Sequence, residues 1–232
     1  MSDLLLQEID EELRQDRIKA FWKRYGLQVG LAALLFMLLI ASWRGYTAWK
    51  QAQAAKDGDL LINALKMGET APSAESQQQL GKIIASGTKG AATLARFRYA
   101  GDEARLGNKN KAIQDFDIIA ADGTLDAPLR NIASVRAAWL SLEQNDSEGV
   151  TRRMQPLATE TGDFRHTARE LLGLAAFKKK DFAAAAQWFD ALLADPACPQ
   201  GISSRGEMMA AVLEADGMSA GRARALNAPQ KK

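Results

Sequence analysis

Residues 26–43 (GLQVGLAALLFMLLIASW) form an uncharged apolar run near the start of a chain of 232 residues, and no other feature narrows its folding options as much. Eighteen residues of helix rise about 27 Å, close to the thickness of a hydrocarbon core. Aromatic residues flank the run on both sides, Phe21, Trp22 and Tyr25 before it and Trp43, Tyr46 and Trp49 after it. Amphipathic rings at headgroup depth account for that placement, so the run is expected to be a membrane anchor. A cleaved leader is the rival reading. Against it stand the mixed-charge segment at 1–24 ahead of the run, and the only A-x-A candidate, Ala52-Gln53-Ala54, well past its end.

The flanking cations set the expected orientation. The fifteen residues before Tyr25 hold five basic side chains (Arg14, Arg17, Lys19, Lys23 and Arg24), and the fifteen after Trp43 hold three (Arg44, Lys50 and Lys56). Short Lys/Arg-rich flanks stay in the cytoplasm, which predicts a type II single-pass protein with its N-terminus inside and its body across the membrane. In a bacterial cell the body would be periplasmic. The expected parts are a cytoplasmic segment at 1–24, an anchor at 25–46, a helical stalk or first helical pair at 47–90, a repeat domain at 91–216 and a disordered basic tail at 217–232.

The whole chain is 47% hydrophobic and 25% charged, and the part behind the anchor is long enough to bury one core or a short solenoid. A net charge of +2 gives no electrostatic footprint for nucleic acid. Cys198 is the single cysteine, so no intrachain disulfide can form, and it is expected to be a small packing residue near a loop.

Behind the anchor the pattern is helical throughout, with Ala, Leu, Gln, Lys and Arg abundant and no alternating runs. The first helix is expected to continue through Lys66, break at 67–73, and give way to a helix at 74–86. Three helix-turn-helix stretches follow, at 91–122 (turn Gly107-Asn108), 127–160 (turn Gln144-Asn145-Asp146) and 164–196 (turn Lys180-Asp181). The turns are 37 and then 36 residues apart, counting 107 to 144 and 144 to 180. Ala112, Ile113, Phe116 and Ile119 mark the apolar face of one second helix. In the third stretch Gly173 and Ala185 are small enough to let helices approach, and Phe182 and Phe189 fill the space between them. Residues 200–215 read as a lone capping helix, and the tail from Gly217 on carries Arg222, Arg224, Lys231 and Lys232 with no acid.

This spacing resembles a tetratricopeptide repeat array. The third stretch is nearest the pattern; the first keeps Ala100, Gly107, Ala112 and Phe116 but has Lys109 where an aromatic is usual, and the second keeps Ala138, Met154 and Leu157. The expected fold is all-α, a single N-terminal transmembrane helix followed by a tetratricopeptide-like α-solenoid. In the order of its parts, from the FWKRYG patch through the anchor and stalk to degenerate repeats, the chain is similar to the YfgM family of bacterial inner-membrane proteins, ancillary subunits of the SecYEG translocon. The resemblance implies an inner-membrane location and an adaptor whose periplasmic repeats associate with translocon subunits and periplasmic chaperones. The start DLLLQEIDEELRQDR departs from the shorter acidic segment of enterobacterial members.

Little in the chain points to catalysis, and no catalytic residue, cofactor or metal site is expected. His166 is the sole histidine; with Glu170 four residues on, it is read as a partly exposed helix histidine and not as a ligand. No G-x-S-x-G, G-x-G-x-x-G or Walker loop is present. Glu11-Glu12 and Asp102-Glu103 point apart on a helix and are read as solvated surface.

Binding is the expected activity, on the face formed by the first helices of the repeats. Arg98, Arg105, Arg136, Trp139, Glu170 and Lys178 fall on or near that face. The cations suit acidic or carboxylate-bearing segments and Trp139 supplies an apolar anchor. All three arginines are expected to be exposed, so that reversing their charge leaves the fold intact. In the anchor, Gly26, Gln28 and Gly30 form a small-residue edge for helix packing. Leu6, Ile9 and Leu13 lie on one face of the preceding segment. A structural scaffold for cell-division or envelope machinery, self-associating as a homo-oligomer, is the runner-up function; an envelope enzyme depending on His166 comes third.

Overall fold

The computed structural model describes the backbone of residues 2–215 and, within that span, the side chains other than those of residues 2–18, 20, 21 and 33. The basic tail at 217–232 and the side chains of Leu6, Ile9, Glu11, Glu12, Leu13 and Phe21 therefore lie outside the described residues. Every regular element described is helical: α1 (Ser2–Met67), α2 (Ala74–Ser86), α3 (Lys89–Arg105), α4 (Lys109–Ala121), α5 (Ala127–Glu143), α6 (Ser147–Met154), a single 3₁₀ turn (Gln155–Leu157), α7 (Arg165–Lys178), α8 (Phe182–Leu193) and α9 (Gln200–Ala215). The chain divides into two compact units, Met1–Lys56 and Asp57–Lys232.

In the first unit the described side chains from Leu27 to Ile40 are all exposed, Leu27 at 81% and Leu39 at 68%. Such a surface is stable against lipid and costly against water. Among the described residues α1 holds one stretch long and apolar enough to cross a membrane, and none of its apolar window is buried.

The second unit is built from helix pairs whose turns repeat the same backbone device. Gly107, Asn145 and Lys180 each adopt a left-handed conformation, with φ of 87°, 60° and 62°. At each turn the next residue's N–H reaches back five positions: Asn108 to Glu103 O, Asp146 to Ser141 O, and Asp181 to Ala176 O, all at 2.9 Å. The left-handed residue itself donates to Ala104, Leu142 or Phe177. Three Schellman motifs thus end α3, α5 and α7. Their left-handed residues are 38 and then 35 positions apart, from 107 to 145 and from 145 to 180. The offsets differ from the expected 37 and 36 because the turn of the second pair centres on Asn145, not Gln144.

Helix starts are also written locally. Ser73 and Ser76 form a reciprocal capping box at α2, Asp146 accepts from Gly149 N at α6, and Asp181 accepts from Ala184 N at α8. At α3 the Thr88 N–H is bound by the Asp57 carboxylate at 2.6 Å, so α1 supplies that terminus with its partner. Pro156 cuts α6 short after eight residues, leaving the second pair with an abbreviated second helix.

Side chains bury themselves junction by junction. Leu61, Ala64, Leu80, Ile83, Ala91 and Ala95 join α1, α2 and α3, and Ala100, Phe116, Ile119, Leu125, Ala133 and Ala137 join α3, α4 and α5. A third cluster, from Ala138 to Ala175, joins α5, α6 and α7, while Ala185, Ala186, Phe189, Leu192 and Leu213 join α8 to α9. Each element meets mainly its neighbours, as in a solenoid. At α7 the approach is closest: a Cβ added to Gly173 would stand 2.8 Å from Phe189 Cζ.

Candidate protein-interaction cleft

α5 packs directly on α7 and α7 on α9, whereas no comparable packing joins α3 to α5. The interval between those two first helices is an open cleft of about 830 Å³, closed at one side by Leu61 and Leu65 of α1. Its lining is one stripe written twice. Leu94 and Ile132, Phe97 and Val135, Arg98 and Arg136, Gly101 and Trp139, Asp102 and Leu140, and Arg105 and Glu143 stand 38 residues apart, the offset that separates Gly107 from Asn145.

One change between the two copies decides the electrostatics. In α3, Arg98 Nε donates to Asp102 Oδ1 at 2.9 Å, and Arg105 Nη1 approaches the same oxygen at 3.5 Å. Position 140 has Leu where the first copy has Asp102, so Arg136 has no carboxylate at the matching place; it is exposed and makes no ion pair among the described residues.

Arg98 and Arg105 do more than line a surface. Arg98 Nη2 donates to Gly68 O, and Arg105 donates to Gly68 O at 3.3 Å and to Thr70 O at 2.9 Å. Together they clamp the turn after α1 onto α3. This corrects the expectation that all three arginines are freely exposed: only Arg136 is a surface cation without a structural partner.

The reading of Asp102 and Glu103 as solvated surface is also overturned, since they are 1% and 6% exposed. Neighbouring helix residues do point apart, but α3 is covered on both flanks. Glu103 receives Lys111 Nζ at 2.5 Å and Asn108 Nδ2 at 2.8 Å. Burial alone would raise its carboxyl, yet these hydrogen bonds hold it below the ordinary value. Asp102 Oδ2 is sealed from solvent without a hydrogen-bond partner.

Two residues expected on the binding face lie outside the cleft. Glu170 is 2% exposed and takes a two-pronged bond from Arg205, Nε to Oε1 at 2.5 Å and Nη2 to Oε2 at 2.9 Å, tying α9 to α7. Lys178 donates to Leu142 O at 2.7 Å and Asn145 Oδ1 at 3.1 Å, capping the end of α5. On α1, Gln28 is exposed, a Cβ on Gly30 would meet nothing within 4 Å, and one on Gly26 would touch only Trp22.

His166 is buried at 7% exposure, contrary to its reading as a partly exposed helix residue. Its Nε2 lies 2.9 Å from Asp195 Oδ2, and the same carboxylate receives Arg165 Nε at 2.6 Å and the Ala197 N–H at 3.0 Å. Arg169 lies 3.6 Å from it and donates to Ala191 O. The Arg165 hydrogen bond holds Asp195 well below the usual carboxylate range, which keeps it ionised and unfit as a neutral-pH acid or base. Burial pushes the Cys198 thiol up, with Asp195 and Glu170 adding to the effect, so it stays protonated and weakly nucleophilic. Among the described residues no three His, Cys, Asp or Glu side chains group as metal ligands.

A family pattern described as a tetratricopeptide repeat-like domain matches residues 19–200. The chain belongs to that family. The matched region begins ahead of the apolar run and ends where α9 begins, so in this tetratricopeptide-like protein it takes in α1 from residue 19 together with the helix pairs. Repeat domains of this kind serve protein–protein interaction and are typically non-catalytic. No curated protein and no solved structure matches the chain.

Proposed function

We propose that this tetratricopeptide-like protein is a single-pass, membrane-anchored adaptor of the bacterial envelope. In this reading its N-terminus is cytoplasmic, its repeat domain is periplasmic, and it associates with the SecYEG translocon and periplasmic chaperones during protein export. The observation that carries the reading is the continuity of the matched region, in which one helix runs from the apolar segment into the first buried positions of the repeat domain. Such a chain holds a protein-binding surface at a membrane, and the cation bias around the apolar run favours the periplasmic side for that surface. The YfgM resemblance supplies the translocon and the chaperones as partners.

The test is topological and biochemical together. A periplasm-active reporter fused after Lys232 gives signal, a cytoplasm-active one does not, the protein leaves the membrane only in detergent, and translocon subunits co-purify with it. Signal from the cytoplasmic reporter, or solubility without detergent, contradicts the orientation or the anchor; absence of translocon subunits contradicts the partner.

A further inference from the structure

We infer that the cleft between α3 and α5 takes an acidic amphipathic segment of a partner protein, with an apolar side chain seated against Leu94, Ile132 and Trp139 and a carboxylate on Arg136. This deepens the adaptor reading and rests on it.

The apolar half of the argument is exposure. Leu94 is 56% and Ile132 38% exposed on facing helices, and Trp139 is only partly buried beside them. Repeat-related positions on both helices therefore present apolar surface to one opening, a site for an inserted side chain.

Charge chooses the flank of that side chain. Arg98 and Arg105 share the single Asp102 carboxylate, which leaves that trio with one uncompensated positive charge. Glu143 is neutralised by Lys109 at 2.8 Å. Arg136 adds a second uncompensated charge at the rim, and its planar fork matches a carboxylate in two-pronged geometry. A basic segment is repelled here and a purely apolar one leaves both charges unanswered.

The experiment is a selection of displayed random 16-residue peptides on the full chain reconstituted in nanodiscs, repeated on Arg136→Glu and Ile132→Asp. Both substitutions are at exposed positions, and melts within a few degrees of the parent confirm that the variants fold. The expected result is enrichment of peptides with a large apolar residue within one helical turn of Asp or Glu. Arg136→Glu should shift enrichment to Lys or Arg at that place, and Ile132→Asp should reduce recovery by about tenfold or more. Enrichment of neutral or basic peptides, no enrichment at all, or enrichment unmoved by both variants overturns the inference. So does self-association of the chain that Ile132→Asp abolishes, since the occupant is then a second copy. A photocrosslinker at Ile132 separates the two levels of reading. Capture of a discrete partner alongside neutral or basic peptides sinks this inference and leaves the adaptor, whereas no protein captured from any surface position sinks the adaptor.

Discussion

The interval between α3 and α5 and the junction of α7 with its neighbours descend from one repeat pattern and end in opposite states. At α7, Gly173 admits the Phe189 ring, Glu170 is locked by Arg205, and Asp195 gathers Arg165, His166 and Arg169. Between α3 and α5 the corresponding space is open, and Arg136 has lost the acidic position that holds Arg98. The stretch closest to the repeat pattern is the closed one. Fidelity to a repeat pattern therefore reports helix packing, and departure from it leaves room for a partner.

The largest contrast is expected from truncating apolar side chains. Phe189→Ala should cost about 3–5 kcal/mol in a denaturant melt of the repeat domain, while Ile132→Ala should cost under about 1 kcal/mol. Equal losses would mean that the cleft is as closed as the α7 junction. Next in size are the arginines: Arg205→Ala strands the buried Glu170 carboxylate at about 2–3 kcal/mol, against about 0.5 kcal/mol or less for Arg136→Ala. Glycines sharpen the comparison because they move in opposite directions. Gly173→Ala should destabilise by about 1–3 kcal/mol through collision with Phe189, whereas Gly101→Ala, whose added Cβ meets nothing within 4 Å, should stabilise α3 by about 0.5–1 kcal/mol. A smaller gain of about 1 kcal/mol or less is expected for Lys180→Gly, which relieves a left-handed lysine in the third turn.

Acidification gives the last contrast, and its signs differ. Asp195 is depressed in the fold, chiefly by Arg165, so its stabilisation is complete above the unfolded carboxylate value of about 4 and is lost as pH falls through the folded one. Burial raises Asp115 in α4, so that group gains stability as pH falls through its folded value. Asp195→Asn should flatten the acid limb of a stability–pH profile, and Asp115→Asn should steepen it. The opposite pattern would contradict both environments.

Much of this architecture was legible in the residues. The apolar run, the break at 67–73, the Gly107 and Lys180-Asp181 turns and the Gly173–Phe189 contact follow from hydrophobic periodicity and turn chemistry. Pairing across junctions was not. Asp102, His166 and Glu170 look like ordinary polar helix positions, and what holds each of them comes from a turn or helix 20 to 40 residues away in sequence: Gly68 for the arginines of Asp102, Asp195 for His166, Arg205 for Glu170. Arg98, Arg105, Arg136 and Trp139 can be grouped from the residues alone because the stripe repeats at a fixed offset. Glu170 and Lys178 cannot be told apart from them in the same way, because nothing local announces that α7 is covered by both α5 and α9.

The most direct test of the central contrast is photocrosslinking in native membranes, with a reactive residue placed one at a time at Leu94, Ile132 and Arg136 in the cleft and at Gln114 and Gln187, exposed on α4 and α8. Adducts of one discrete mass at the three cleft positions, and none at Gln114 or Gln187, are the predicted result. Adducts confined to Gln114 or Gln187, with the cleft positions silent, would contradict the account.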